Sequence, residues 1–366
     1  MSSVIEVNNL RTYFNLDDGV LKAVDGVSFD VASKRTLGII GESGCGKSVT
    51  AQSILRIVPN PGQIVGGQIL LQTDEEEPVD LTALDQSGER MRSIRGRHIS
   101  MIFQEPMTSL SPVHTIGNQI MEAILLHRTP NDREAREITL EMLERVGISN
   151  PRQRIDEYPH QFSGGMRQRA MIAMALSCRP TLLIADEPTT ALDVTVQAQI
   201  LELMRELQDL YGMSILYITH DLGVIAEIAD EVAVMYLGRV VEQGTTRQIF
   251  HSPLHPYTRG LLKSIPMLGR KARVRLDAIS GTVPIPINPP WRCGFWNRCP
   301  DRKAGHCDVA VPALVDMGDG HRVRCFLHSE GQESRPTETS KQLRKTRRRR
   351  SAGAPHEEPL AEGSQL

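Results

Sequence analysis

The stretch GESGCGKS at Gly41–Ser48 decides the fold, because it fits the pattern G-x-x-x-x-G-K-[ST] of a phosphate-binding loop. It follows a short apolar run over 36–40 that is typical of a buried strand, and helical spacing begins directly after it. Strand, glycine loop and helix in this order form the context that such a loop requires. This context disfavours the other interpretation, a glycine turn that only lets a helix pack on a strand.

The residue types in this loop predict that it binds ATP together with Mg²⁺. Glycines allow backbone N–H groups to turn inward around phosphate oxygens, and the next helix points its positive end at the anion. Lys47 is predicted to reach the β- and γ-phosphates, and the Ser48 hydroxyl to ligate Mg²⁺. The predicted loop residues are Gly41, Ser43, Gly44, Cys45, Gly46, Lys47, Ser48 and Val49.

The run LLIADE at 182–187 predicts the second half of the same site. Asp186, at the end of an apolar strand, is predicted to hold Mg²⁺ directly or through water. Glu187 is predicted to orient and deprotonate the attacking water. An apolar strand that ends in two acids is by itself mostly structural, and only its combination with the loop favours this interpretation.

A third motif, SGGMRQ at 163–168, lies shortly before that strand. Ser163, Gly164 and Gly165 at a helix N-terminus predict an anion site. Together with the other two motifs, this segment resembles the signature motif of the ABC ATPases. The resemblance implies that it contacts the γ-phosphate bound to the opposite subunit. The family usually carries Gln where Met166 stands, and many peptide-transport members resemble this chain at that position.

The remaining landmarks of the ABC family follow in order. Gln104 resembles the Q-loop glutamine, which reaches Mg²⁺ and water and senses the membrane domains. Asp193, in the segment ALD at 191–193, resembles the D-loop that crosses the dimer interface. His220 resembles the switch histidine at the γ-phosphate. Phe14 lies where the family places the aromatic ring that stacks on adenine, with Tyr13 as the alternative.

Three further segments narrow the resemblance, which covers about residues 4–330. FQEPMTSL at 103–110, YPHQF at 158–162 and HPYT at 255–258 are similar to the ATP-binding subunits of dipeptide/oligopeptide importers. One departure is Lys34-Arg35, where relatives usually carry Gly-Glu, in a turn that we expect to be exposed and tolerant. The resemblance implies an ATPase that energises peptide uptake at the cytoplasmic face of a bacterial membrane. It also implies a second ABC ATPase subunit in a heterodimer, two permease chains and an extracytoplasmic binding protein.

Alternative functions stay open at this point. The closest one is an importer of nickel or another small solute. A soluble ABC ATPase that acts on nucleic acid or ribosomes is disfavoured, because the chain has one phosphate-binding loop, one signature motif and no long heptad run. A purely structural metal protein is disfavoured by the complete set of ATP motifs. Neither the exact substrate nor the choice between homodimer and heterodimer follows from the sequence.

The composition fits a globular protein without nucleic-acid partners. The chain has 366 residues, of which 40% are hydrophobic and 23% charged. Its formal net charge of −2 gives no overall field that would attract nucleic acid. We expect no signal peptide and no membrane span, because no stretch approaches the roughly 20 apolar residues that a span needs.

The order of elements predicts an α/β fold with a mostly parallel, RecA-like sheet, as in a P-loop ABC ATPase core. Short edge strands are predicted over Val4–Val7 and Val20–Val24, and a helical insert at about 105–165. The predicted domains are a nucleotide-binding domain at 1–265, a Pro- and Cys-containing extension at 266–330 that is stabilised separately, and a disordered tail at 331–366. The basic run in this tail could contact anionic lipids, but a solvated tail is favoured.

Four cysteines cluster in the extension, separated by 5, 7 and 17 residues. Tight C-x-x-C pairs typical of zinc are missing, and longer spacings suit a wider iron–sulfur cluster. Members of the peptide-transport group resemble this pattern and carry a [4Fe–4S] cluster there, which we therefore expect first. Zinc, assisted by His306, His321 or His328, is the second interpretation, and free thiols are the third. The predicted ligands are Cys293, Cys299, Cys307 and Cys325.

Cys45 stands apart from this cluster, inside the phosphate-binding loop. A thiol near a helix N-terminus could have a lowered pKa and block ATP binding when alkylated. The preferred interpretation is a small residue where relatives often carry Ser.

Overall fold

The computed structural model describes residues 2–73, 75–104, 109–189, 193–264, 279–329 and 333. Its larger sheet is built around β3 (Thr36–Ile40), whose five residues are all buried. Strand order across this sheet is β11-β12-β10-β9-β3-β8-β7-β6. Its other strands are β6 (Ile99–Ile102), β7 (Leu182–Asp186), β8 (Ser214–Thr219), β9 (Glu231–Tyr236), β10 (Arg239–Thr245), β11 (Val315–Asp316) and β12 (Arg322–Val323).

The strands from β9 to β6 are parallel, while β10, β11 and β12 add antiparallel pairs at one side. The predicted mostly parallel α/β sheet is therefore confirmed. In a parallel sheet the carboxyl ends of the strands lie at one edge, where ligands are usually bound. Three of these strands end at this edge: β3 directly before the glycine loop, β7 directly before Glu187 and β8 directly before His220.

A smaller antiparallel sheet covers one face, in the order β2-β1-β4-β5. β1 (Ser3–Leu16) and β2 (Gly19–Ala32) pair along their whole length, so both are much longer than the predicted short strands. The register shifts at several points along this pair, which breaks the simple alternation that sequence patterns detect. The sheet is completed by β4 (Gly62–Leu71) and β5 (Val79–Asp80).

Most helices cover the opposite face of the larger sheet or form the insert, whereas the helices over 47–54 and 89–94 pack in the same cluster as the antiparallel sheet. Asn131 begins the insert helix over 132–145, because its side chain accepts hydrogen bonds from the N–H groups of Arg133 and Glu134. The insert was predicted at about 105–165, of which residues 105–108 lie outside the described residues. The helices are α1 (Lys47–Ile54), α2 (Glu89–Ile94), α3 (Ile116–His127), α4 (Asp132–Arg145), α5 (Pro151–Arg154), α6 (Gly164–Leu176), α7 (Val194–Tyr211), α8 (Leu222–Ile228), α9 (Thr246–His251) and α10 (Pro256–Lys263).

The central sheet separates two hydrophobic clusters. Successive residues of β8 alternate between them, since Ile215 and Tyr217 pack with the helices whereas Leu216 and Ile218 pack with the antiparallel sheet. This layering fixes β3, β7 and β8 from both faces, so the loops at their carboxyl ends start from rigid positions. In the described part of the chain, no helix has the length and apolar character to span a bilayer.

The cysteine-containing extension joins the larger sheet, because β12 pairs with β10. The fully buried carboxylate of Glu242 on β10 holds this junction. It accepts hydrogen bonds from the backbone N–H of Leu254 at 2.7 Å and of His255 at 2.9 Å, and it lies 2.9 Å from Nε2 of His321 in the extension. The extension thus shares a sheet with the core. The predicted boundary near residue 265 and most of the tail lie outside the described residues.

Candidate nucleotide-binding site

The phosphate-binding loop connects β3 to α1 through two glycines that no other residue can replace. At Gly46 φ is +101°, and a Cβ atom would lie 2.2 Å from the carbonyl oxygen of Ala23. A Cβ at Gly41 would lie 2.3 Å from the carbonyl oxygen of Met235. The loop is therefore pressed against β2 and the end of β9, and its shape is fixed by the neighbouring backbone.

Lys47 lies inside the loop and is almost fully buried. Its Nζ donates hydrogen bonds to the carbonyl oxygen of Gly41 at 2.8 Å and of Glu42 at 3.3 Å. The ammonium group is thus held at the centre of the loop by backbone dipoles, within reach of an anion that enters the loop.

Ser48 and Asp186 come together across the site, as their predicted shared role requires. The Ser48 hydroxyl donates a hydrogen bond to the Asp186 carboxylate at 3.1 Å. Burial raises the pKa of Asp186, an effect that the Ser48 hydrogen bond opposes. A hydroxyl and a carboxylate are suitable ligands for Mg²⁺, which usually takes one or two protein oxygens and completes its shell with phosphate and water.

Glu187 contacts the other two residues that were predicted to carry catalysis. Its carboxylate accepts a hydrogen bond from Nε2 of Gln104 at 3.1 Å and lies 3.1 Å from Nδ1 of His220. Its φ is +48°, a conformation that is uncommon for a residue other than glycine, and its N–H donates to the carbonyl of Ile218. Gln104 was also predicted as a Mg²⁺ ligand, but here it contacts Glu187 rather than Ser48 or Asp186.

The signature segment is placed apart from this constellation. Ser163 begins α6, where its side chain accepts a hydrogen bond from the N–H of Met166 at 3.3 Å. Ser163 and Gly164 are exposed, and a Cβ at Gly164 would meet no atom within 4 Å. Among the described residues, no hydrogen bond joins Ser163 to the phosphate-binding loop. The N-terminus of α6 is therefore open to another molecule.

Asp193 and Phe14 occupy positions that fit their predictions in part. Asp193 begins α7 by accepting a hydrogen bond from the N–H of Val196 at 2.9 Å. The preceding Ala191 and Leu192 lie outside the described residues. Phe14 is partly exposed, whereas Tyr13 is buried and donates its hydroxyl to Asp25 at 2.5 Å. Of these two aromatic rings, only Phe14 is accessible to a stacking base.

Three contacts at the site were not predicted. Nε2 of the buried Gln168 on α6 donates to the carbonyl of Pro188, which ties the signature helix to the segment after Glu187. The hydroxyl of Tyr257 and the guanidinium group of Arg298 both contact Glu42 in the loop. Only the first has a sequence signal, since Gln168 belongs to the signature motif. The others join segments that are more than 200 residues apart.

Cys45 is fully buried, and burial raises the pKa of its thiol. The interpretation as a reactive, low-pKa cysteine is therefore not supported. A Cβ atom at Gly41 would lie 2.7 Å from Sγ of Cys45, which shows that the thiol fills space under the loop. This placement agrees with the preferred interpretation of a small packing residue.

The four cysteines of the extension lie near one another. Burial raises the pKa of Cys293 to about 12 and of Cys325 to about 11, and it also raises the pKa of Cys299. The neighbouring thiols, Cys307 included, raise these values further. Sγ of Cys307 also accepts a hydrogen bond from the backbone N–H of Lys303 at 3.4 Å. In the described ranges, no group of three or more His, Cys, Asp and Glu side chains is arranged to hold a metal ion.

Comparisons with known proteins agree with this site. The family model "ABC transporter" matches residues 24–190, and "Oligopeptide/dipeptide transporter, C-terminal region" matches 241–307. The oligopeptide transport ATP-binding protein AppD of Bacillus subtilis is 51% identical over 330 residues, which cover 90% of this chain and 98% of AppD. The dipeptide transport ATP-binding protein DppD of the same organism is 50% identical over 334 residues, covering 91% and 97% of the two chains.

Solved structures show the same fold. The ATP-binding cassette MJ0796, in a dimeric post-hydrolysis state bound to ADP and Pi, has a TM-score of 0.58 at 24% identity and matches 66% of this chain and 99% of its own. The cbiO1 protein from Clostridium perfringens, part of the transporter complex cbiONQ, has a TM-score of 0.57 at 27% identity, covering 69% and 92% of the two chains. The predicted ATP-binding cassette core is therefore confirmed.

Proposed function

The chain belongs to the ABC transporter family as an ATP-binding and ATP-hydrolysing subunit, and on this premise we propose that it energises the uptake of dipeptides or oligopeptides. The peptide substrate is supported by the names of the most similar relatives and by the matched C-terminal region. The main structural support for ATP hydrolysis is the contact of the Glu187 carboxylate with both Gln104 and His220. This contact lies directly after β7, the strand that ends at Asp186.

We assign the roles in the ATP site as follows. Lys47 exchanges its contacts with the loop carbonyls for the β- and γ-phosphates, while Ser48 and Asp186 hold Mg²⁺. Glu187 accepts a proton from the attacking water, and its hydrogen bonds to Gln104 and His220 orient the carboxylate for this step. Mg²⁺, when bound, neutralises the charge that develops on the phosphate oxygens. Phe14 is assigned to stack on the adenine.

A second subunit is required to complete this site. Ser163 and Gly164 present an exposed helix N-terminus, and the side chain of His220 is 63% exposed. Both are suited to a terminal phosphate that lies between two chains, since each half alone supplies only part of the donors that stabilise the transition state. We propose that the partner is a related ATPase subunit in a heterodimer, with Asp193 at the interface.

We further propose that this heterodimer binds two permease chains at the cytoplasmic face of the membrane, with an extracytoplasmic binding protein that delivers the peptide. Large apolar side chains on and beside the insert support a permease contact, since Phe103, Val113 and Tyr158 are 42%, 73% and 40% exposed. Gln104 follows Phe103 directly, so movement of a permease on this surface would reach the Glu187 contact.

The four cysteines of the extension lie near one another, and their long spacings in the sequence favour an iron–sulfur cluster over a single zinc ion. Each of the four irons of such a cluster takes one thiolate, and a hydrogen bond such as the one from the Lys303 N–H to Sγ of Cys307 stabilises a thiolate ligand. A zinc ion would require the same sulfurs to converge on one point. We propose Cys293, Cys299, Cys307 and Cys325 as the ligands of a [4Fe–4S] cluster that stabilises the extension, within a domain organisation of 1–265, 266–330 and 331–366.

Metal analysis of the full chain tests this assignment. We expect about four iron and four sulfide per chain after anaerobic purification, and loss of both in Cys299→Ser. A matched Cys178→Ser variant, which removes a thiol far from the extension, should retain them. Stoichiometric zinc without sulfide would reject the cluster.

Transport by the reconstituted complex tests the function itself. The chain, its partner ATPase and its permeases are placed in proteoliposomes with the binding protein, and uptake of a labelled dipeptide, a labelled pentapeptide and ⁶³Ni²⁺ is compared. We expect ATP-dependent uptake of peptide, and its loss in Lys47→Ala. Uptake of nickel but not of peptide would favour the small-solute alternative. ATP hydrolysis without association with any permease would contradict the transport function.

A further inference from the structure

Glu42, the second residue of the phosphate-binding loop, is held by two residues that follow the ATPase motifs in the sequence, Tyr257 and Arg298. Its carboxylate accepts two hydrogen bonds from Arg298, at 2.7 Å from Nη1 and 2.9 Å from Nη2. Its backbone N–H donates to the hydroxyl of Tyr257 on α10 at 2.9 Å. The side chain and the backbone of one loop residue are therefore both fixed by the chain that follows the ATPase motifs.

Arg298 is also held in place by contacts outside the loop. Its Nε donates to the carbonyl of Ser280 at 3.0 Å, and its guanidinium group lies over the rings of Tyr236 and Phe295 at 5.8 and 6.0 Å. Only 5% of its side chain is exposed. The hydrogen bonds to Glu42 raise the pKa of Arg298 further, so it stays charged at any relevant pH. A planar, fixed guanidinium that binds both carboxylate oxygens is a geometrically specific contact.

Lys47 contacts the backbone of the same loop segment. Its Nζ donates hydrogen bonds to the carbonyl oxygens of Gly41 and Glu42. When Lys47 binds a phosphate, the loop loses its hydrogen bonds from Nζ of Lys47. The hydrogen bonds of Arg298 and Tyr257 with Glu42 then keep the peptide group at Glu42 in position. The N–H groups that follow Glu42 stay directed at the phosphates.

Arg298 also immediately precedes Cys299, and the N–H of Cys299 donates to the carbonyl of Phe295 at 2.9 Å. The order of the cysteine segment therefore determines where the guanidinium group lies. A change in that segment displaces Arg298, and because Arg298 forms an ion pair with Glu42, it also displaces the Glu42 side chain.

We propose that Arg298 and Tyr257 are positioning residues for the phosphate-binding loop, so that the cysteine-containing extension, through Arg298, helps to set the affinity of the chain for ATP. This rests on the proposed function, since it assumes that the loop binds ATP. The extension is then a part of the nucleotide site that acts through Glu42. A merely structural role would lower stability without a selective effect on nucleotide affinity.

The test measures MgATP affinity and steady-state ATPase kinetics of the full chain in its transporter complex. Arg298→Met keeps the length of the side chain but removes both hydrogen bonds to Glu42. We expect the Kd and KM for MgATP to rise by about 10-fold, because a hydrogen-bonded charge pair is lost. The value of kcat at saturating ATP should change by less than about 3-fold, since Glu187, Gln104 and His220 are untouched.

A matched control is Arg302→Met, in the same segment. Arg302 is exposed and stacks on Trp296 at 5.4 Å without contacting the loop. It should leave Kd, KM and kcat unchanged, and its iron content should equal that of the unmodified chain.

A double-mutant cycle with Glu42→Gln decides between positioning and general destabilisation. We expect Arg298→Met to have little further effect on Kd in the Glu42→Gln background, because both changes break the same contact. If the two effects multiply independently, the proposal is wrong. Tyr257→Phe, which removes only the hydroxyl, provides the same test if Arg298→Met does not fold, and we expect a smaller rise in KM of about 3-fold.

The two possible failures are distinguishable. If the unmodified chain does not bind MgATP, the proposed function fails. If it binds MgATP and Arg298→Met, Tyr257→Phe and Arg302→Met all bind it equally well, only the positioning role is overturned.

Discussion

The nucleotide site and the cysteine-containing extension use polar side chains in opposite ways. At the nucleotide site, Lys47 and Asp186 are buried, but other polar groups lie at an open edge, where the side chain of His220 is 63% exposed and Ser163 is exposed. In the extension, polar groups face inward, since His321 is 7% exposed and its partner Glu242 is fully buried. An open polar edge is suited to meet another molecule, whereas an inward network holds the chain together.

This contrast leads to an expectation that can be measured. Substitutions at the open edge should change turnover with little effect on stability, and substitutions in the inward network should do the reverse. Glu42 and Arg298 are where the two regions meet, and there we expect substitutions to lower both the affinity for MgATP and the stability.

The largest effect is expected for Glu187→Gln. Loss of the general base should lower kcat by about 10²- to 10⁴-fold while MgATP still binds, because the amide is nearly the same size as the carboxylate. Single-turnover and steady-state phosphate release, together with a thermal unfolding curve, would measure both sides of the comparison. The control is Glu206→Gln, at an exposed position on α7, which should leave both unchanged. Near-normal hydrolysis in Glu187→Gln would contradict the assignment.

A smaller effect, on stability alone, is expected for Glu242→Gln. The carboxylate of Glu242 accepts the backbone N–H groups of Leu254 and His255. In the glutamine variant, the amide NH₂ group would face one of these two N–H groups, and two donors cannot pair. We expect a loss of about 2 kcal/mol in the free energy of unfolding, because one buried donor is left unsatisfied. Urea unfolding of the full chain would measure it, with the exposed Glu202→Gln as control. An unchanged unfolding midpoint would show that this network does not hold the extension.

The sequence predicted the open edge far better than the inward network, for a physical reason. Phosphate binding requires Gly41, Gly46 and Lys47 at fixed spacing within one loop, so the chemistry is visible in a short segment. Strand ends then bring Asp186 and His220 to the same edge without any further signal, because parallel strands align their carboxyl ends. The roles of these residues stay predictions, but their proximity follows from the pattern.

The inward network depends on pairs that are far apart in the sequence. Arg298 is 256 residues from Glu42, and His321 is 79 residues from Glu242. Arg, Glu and His at such positions look like ordinary surface residues, since burial is a property of the folded chain and not of a local pattern. The pairing of β12 with β10 could not be predicted either, because β12 has only two residues and therefore shows no periodic pattern. In the long pair of β1 and β2, the register shifts hide the alternation of buried and exposed residues.

A third prediction uses pH to separate the two regions. Burial lowers the pKa of His255 to about 3, and its Nδ1 accepts a hydrogen bond from the N–H of Tyr257. The neighbouring cationic groups lower it further, and these are His328, Arg259 and Arg324. The unfolded chain takes up a proton near pH 6.5, so between pH 6.5 and 3 it binds more protons than the folded chain. The contribution of His255 is complete above pH 6.5 and is lost as pH falls.

We expect this residue to make stability fall by about 1 kcal/mol per pH unit between pH 6.5 and 5. His255→Asn should reduce that slope, because Asn can also accept the Tyr257 N–H at the start of α10 but has no ionisable group. Urea unfolding at half-unit pH intervals gives the slopes. Equal slopes in both chains would mean that His255 is not the residue that senses acid in the folded chain.

The smallest effect concerns backbone strain, which also differs between positions. The φ angles of Glu187 and Lys34 are both positive, at +48° and +60°. Glu187 is at the ATP site, whereas Lys34 lies in the turn before β3, at the end of β3 that is farther from the phosphate-binding loop. If strain at Glu187 serves to aim its carboxylate, relief of strain there should cost activity, whereas relief at Lys34 should cost none.

Lys34→Gly is therefore expected to raise stability slightly and to leave ATPase activity unchanged. Glycine removes the cost of a left-handed residue but increases the entropy of the unfolded chain, so the net gain should be about 0.5 kcal/mol. The exposed side chain of Lys34 contributes little to offset this gain. Lys34→Ala is the matched control, because it shortens the side chain and keeps the Cβ atom. If alanine stabilises the chain as much as glycine does, the gain comes from the lost side chain, and the positive φ at this turn is not a source of strain.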